Sequence, residues 1–104
     1  MGDLANEIES LYPGHVRAVN EPLFDATGRM VTDADILLKN AVIQVKSGTR
    51  AAGILGQLVD SEAATGLPSI GYGPKFSGAT IRTLSQQGGL VTSDKALLLE
   101  LIRP

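Results

Sequence analysis

The stretch DADILLKNAVIQVKSG, residues 33–48, decides the fold. Two short apolar runs, Ala34–Leu38 and Ala41–Lys46, flank Lys39-Asn40. A two-residue link with Asn in its second place, where a positive φ is tolerated, predicts a β-hairpin. With that turn Leu38 faces Ala41, Asp35 stands opposite Gln44, and Asp33 stands opposite Lys46. Side chains two apart share a face of a strand, so these four polar groups point the same way. The other face, built from Ala34, Ile36, Leu38, Ala41, Ile43 and Val45, is wholly apolar. Leu37 and Val42 sit beside the Asp35–Gln44 pair on the polar face. Polar groups among such neighbours lose hydration, a cost relieved only by pairing or by binding something. The hairpin is therefore either a solvated face with an Asp33–Lys46 ion pair or a site.

Working outward, Asp3–Leu11 carries Leu4, Ile8 and Leu11 at helical spacing and is closed by Pro13-Gly14. His15–Asn20 alternates like a strand, and Pro22 to Met30 reads as a loop or wide turn. After the hairpin, Ser47-Gly48-Thr49 offers a helix N-cap, and the helix runs to about Ala64 with Ala51, Ile54, Leu55, Leu58 and Val59 as its stripe. Gly66 ends it. Ser69–Tyr72 reads as a strand, Gly78–Gln87 as a helix, and Leu90–Thr92 as a strand. Ser93 or Asp94 caps a last helix, Lys95–Ile102. The order α-β-β-β-α-β-α-β-α is that of a mixed α/β layer domain spanning residues 1–104.

The chain has 104 residues, 43% of them hydrophobic and 19% charged, with no Trp and no Cys. The core must come from Leu, Ile, Val and Ala, and disulfides and thiolate metal sites are excluded. The reading expects no membrane span and no cleavable signal segment. The net charge of −2 argues against a highly basic nucleic-acid binder. Seven of the eleven acids and two of the nine bases fall within residues 1–35, so a mildly basic remainder follows an acidic start.

The hairpin groups suit phosphodiester hydrolysis. A divalent cation polarises the phosphate and lowers the pKa of a bound water. Hard ions prefer oxygen ligands, here the Asp35 carboxylate and the Gln44 side-chain carbonyl. Lys46 can hold the water or offset charge building on phosphorus. Ser47, Thr49 and Arg50, at the expected helix start, place N–H groups and a guanidinium where a phosphate could dock. Glu7 falls on the apolar side of the first helix, where an acid needs a reason. His15, the only histidine, has no nucleophile pattern beside it and reads as a strand-start residue.

Asp35, followed by Gln44-Val45-Lys46 at the end of the second hairpin strand and then a helix, resembles the PD-(D/E)XK nuclease superfamily. The wording DILLKNAVIQVKSG is most similar to the nuclease toxin domains at the C-termini of contact-dependent growth inhibition and related polymorphic bacterial toxins. The resemblance covers residues 3–72. It implies a restriction-endonuclease-like α-β-β-β-α-β core, here with extra C-terminal α-β-α elements, and an endonuclease cutting RNA, tRNA ahead of DNA. It implies a metal site of Asp35, Gln44 and Glu7, holding Mg²⁺ first and Mn²⁺ or Zn²⁺ as alternatives, with Lys46 as the catalytic cation. Gln57 resembles the helix glutamine of some members, and Tyr72 could stack on a base. The resemblance further implies a cognate immunity protein, delivery from the cell surface within a larger protein, and action in the cytoplasm of a target bacterium. Two departures stand out: no proline precedes Asp35, and Gln44 replaces the usual acid. A non-catalytic binding domain on a decayed nuclease fold is the reading from another class.

Overall fold

The computed structural model describes residues 2–104. Its elements are α1 (Gly2–Leu11), β1 (Val16–Phe24), β2 (Met30–Leu38), β3 (Val42–Val45), α2 (Ile54–Thr65), β4 (Ser69–Tyr72), α3 (Gly78–Gln86), β5 (Val91–Thr92) and α4 (Lys95–Leu101). The five strands form one mixed sheet in the order β1-β2-β3-β4-β5. The first three strands run antiparallel to one another, and β3, β4 and β5 run parallel. The α/β class and the element order therefore match the expectation. Parallel neighbours need crossovers, which α2 and α3 supply.

The helices cover both faces. On one face α1 and α4 pack Leu4, Ile8, Leu98 and Ile102 against Ile36, Leu38, Ile43, Ile70 and Tyr72. On the other, α2 and α3 pack Ile54, Leu58 and Leu84 with Phe76 and Val91. Fully buried isoleucines and leucines such as Ile8, Ile36, Ile43 and Leu98 each contribute about 1.5–3 kcal/mol of transfer free energy. α2 lies so close to β4 that a Cβ at Gly71 would stand 2.7 Å from the Ile54 Cδ1, which is why glycine occupies that strand position.

The hairpin register is the expected one, with Ile36 opposite Ile43, Leu37 opposite Val42, and the Leu38 N–H donating to the Ala41 carbonyl. Two boundaries differ. β1 continues through Pro22 to Phe24, because an edge strand tolerates a residue with no N–H. The expected wide loop shrinks to Asp25–Arg29, where Asp25 Oδ1 accepts from the N–H groups of Thr27 and Arg29 and Gly28 takes a positive φ of 85°. α2 begins at Ile54 with Gly53 in the left-handed region as its N-cap, so Ser47 and Thr49 do not cap it. Its buried line is Ile54, Leu58 and Ser61, and Val59 faces outward at 66% exposure.

The C-terminal end of α4 is satisfied by side chains from far away in the sequence. Tyr12 donates its hydroxyl to the Leu99 carbonyl. The Ile102 carbonyl accepts from His15 Nε2 at 2.8 Å and from Asn40 Nδ2 at 3.1 Å. His15 is buried and meets Tyr12 edge to face. Replacing His15 by Ala is expected to destabilise the fold by about 1–3 kcal/mol, through lost packing and a carbonyl short of one donor. Urea denaturation checks this.

Glu9 closes the α1–β1 junction by accepting from the backbone N–H groups of Gly14 and Val16. These bonds favour its charged form and hold its pKa below the ordinary 4.5. A depressed carboxyl contributes stability above the unfolded value and loses it as pH falls through the folded one. Unfolding midpoints measured between neutral pH and strong acid should thus fall more steeply for the parent than for Glu9→Gln.

Candidate functional site

Hydrogen-bonded pairs alternate along an antiparallel ladder. After Leu38–Ala41 and Ile36–Ile43, the next bond of the β2–β3 ladder would join the Val45 N–H to the Ala34 carbonyl. It does not form. The Val45 N–H donates instead to Asp35 Oδ2 at 2.7 Å. β3 meanwhile stays with β4, with Val45 opposite Tyr72 and the Lys46 N–H donating to the Tyr72 carbonyl. β2 and β3 therefore fork at Asp35 and Gln44, and side chains take over from the backbone ladder.

Gln44 spans the fork. It is 1% exposed. Its Nε2 donates to the Asp33 carbonyl at 2.8 Å and to Ser61 Oγ of α2 at 2.7 Å. Its Oε1 accepts one long bond, 3.4 Å, from the Asp35 N–H. Ser61, fully buried, donates its own hydroxyl to the Gln57 backbone carbonyl. Sheet, amide and helix form one connected polar chain. Nothing in the sequence singled out Ser61, yet its spacing from Ile54 and Leu58 puts it on their line and could have identified it.

Ser61 meets Gln44, and Gln57 lies one turn nearer the start of α2. Its side-chain Oε1 is buried and has no hydrogen-bond partner. Lys46 is half-buried and Asp33 is exposed, and among the described residues the Asp33–Lys46 pair of the solvated-face alternative does not form. The fork thus presents the half-buried Asp35 carboxylate, and Lys46, just past β3, is in no ion pair among the described residues.

The remaining expected residues lie elsewhere. Glu7 forms an ion pair with Lys95 of α4 at 3.1 Å, in the layer opposite α2, so the first helix commits its acid to α4. Ser47, Thr49 and Arg50 are exposed in the loop that precedes α2, not on its first turn. Tyr72 is buried in the α1–α4 core and offers no ring face for a base to stack on. His15 is engaged with Ile102, in keeping with a structural histidine. Among the described residues no three of His, Cys, Asp and Glu gather in one group.

No family model matches the chain, and neither the curated proteins nor the solved structures contain a significant match to it.

The Gln44 bridge makes a sharp prediction. A carboxylate in its place would face the Asp33 carbonyl with no proton to donate. Gln44→Glu is expected to cost about 2–4 kcal/mol at neutral pH. Burial raises the pKa of such a glutamate, so stability should fall as pH rises from about 4.3, its unfolded value, toward the raised folded one, and then level off. Denaturant midpoints across that range test it, since a protonated glutamic acid restores the donor.

Proposed function

We propose that the chain is a metal-dependent endonuclease of the PD-(D/E)XK type, hydrolysing phosphodiester bonds with RNA, tRNA in particular, preferred over DNA. The observation that carries this reading is the fork itself. Asp35 and Lys46 stand where β2 and β3 part, on a core of the order α-β-β-β-α-β. A fork of this kind lets a substrate phosphate approach a carboxylate and an ammonium without displacing a strand.

The donor set agrees in kind with a hard divalent ion, Mg²⁺ first and Mn²⁺ or Zn²⁺ as alternatives. Among the described residues Asp35 Oδ1 has no hydrogen-bond partner and Gln44 Oε1 has one long one. These two oxygens would hold it, with a single negative charge between them. Such an ion supplies a polarised phosphate and a water of lowered pKa. Lys46 orients that water or offsets charge on the phosphoryl oxygens. Asp35 keeps its other oxygen on the Val45 N–H, which fixes the carboxylate while it binds. Arg50, exposed in the loop before α2, can meet the flanking phosphate.

By the same resemblance the domain is a toxin of interbacterial competition, delivered as part of a larger protein into the cytoplasm of a target bacterium and neutralised by a cognate immunity protein. The described residues include no helix long and apolar enough to cross a membrane. A second reading, a non-catalytic binding domain, draws on Gln44, whose amide is committed to the fold.

Incubating the purified chain with total tRNA and with plasmid DNA, with Mg²⁺ or with chelator, separates the two. The nuclease reading expects cleavage of tRNA that chelator abolishes. It also expects Asp35→Ala and Lys46→Ala to be slower by about a hundredfold or more. Intact tRNA and plasmid in the presence of metal would favour the binding domain.

A further inference from the structure

A cleft runs along each side of α2. The one toward the β1–β2 turn measures about 610 Å³ and is lined in part by Phe24, Asp25, Val31, Asp60 and Ala63. The other, about 190 Å³, lies between α2 and the α3–β5 connection and includes Leu55, Val59, Glu62, Ser69 and Leu90. Between them Val59 stands out as the most exposed of the large apolar side chains. Leu90, at 47% exposure, and Phe24, at 51%, mark the two outer flanks.

The charges on this surface have one sign. α2 contains Asp60 and Glu62 and no Lys or Arg. Both acids are exposed, neither is in an ion pair among the described residues, and no basic side chain lines either cleft. The Asp25 carboxylate is fixed at the lip of the larger cleft by Thr27 and Arg29, and its charged form is favoured by those bonds. In the smaller cleft Ser69 is 6% exposed, and its hydroxyl has no hydrogen-bond partner.

We infer that the outer face of α2 is the docking surface for a partner protein that presents a basic segment interleaved with apolar side chains. Val59 and the two apolar flanks provide the contact area, while Asp25, Asp60 and Glu62 select the cations. A nucleic acid is disfavoured here, because its phosphates would meet carboxylates alone. Docking on this face leaves the fork free, since Ser61 and Gln44 lie beneath the inner face of the same helix. The inference rests on the surface of α2 and holds whether or not the chain cuts a phosphodiester.

Titrating the ¹⁵N-labelled chain with a short synthetic peptide of alternating arginine and leucine tests it. Amide shifts should concentrate on Val59–Ala63, Phe24–Ala26 and Gln87–Leu90. Asp60→Lys combined with Glu62→Lys should weaken binding at least about tenfold, and Val59→Ser should weaken it by a smaller factor. These side chains are exposed, and the spectrum of each variant reports whether the fold is kept. A matching glutamate–leucine peptide should leave the surface unshifted, as should a short oligoribonucleotide. The inference is overturned if the arginine peptide shifts amides all over the surface or binds the double variant as well as the parent. It is equally overturned if the oligoribonucleotide or the glutamate peptide occupies this face.

Discussion

The buried amide of Gln44 holds the molecule together at the point where its sheet divides. β3 must follow β4 as far as Tyr72, while β2 is parted from β3 on the N-terminal side of Ile36. Backbone groups freed by such a division cost free energy unless other donors and acceptors reach them. Gln44 reaches the Asp33 carbonyl and Ser61, and Asp35 reaches the Val45 N–H, so the division is closed from both strands. The same contact sets the rotation of α2. With Ser61 turned inward to meet the amide, Ile54 and Leu58 follow it into the core and Val59 is carried outward.

Structure and proposed chemistry therefore share atoms at the fork. One oxygen of Asp35 replaces a ladder acceptor, and in the proposed chemistry the other is assigned to a ligand. Gln44 is a donor to the backbone at a position that excludes solvent. A carboxylate could not make that bond at neutral pH. An amide at this position thus has a physical cause in the fold.

Much of this was legible from residues alone. The Lys39-Asn40 link and the two alternating runs determined the register, and the order of elements followed from periodicity, Gly66 and Asp94. What escaped was non-local. Nothing local reveals that β1 is an edge strand able to carry Pro22, or that α2 would start at Gly53 in preference to Ser47. Glu7 sits on the side of α1 its spacing indicated, but which cation it meets depends on where α4 docks. Ser61 lies at i+7 from Ile54, on the buried line, and Val59 falls on the opposite side of the helix.

The cap on α4 ties positions 87 residues apart, Tyr12 to Leu99 and His15 to Ile102. A ribosome releases these partners in turn, so the layer that α1 shares with α4 is complete only when the last helix has emerged. Contacts of such sequence separation slow folding and expose apolar surface in the interval. Completion of this domain is thus timed by its final helix, and a nascent chain stalled before α4 would present the α1 side of the sheet to chaperones and proteases.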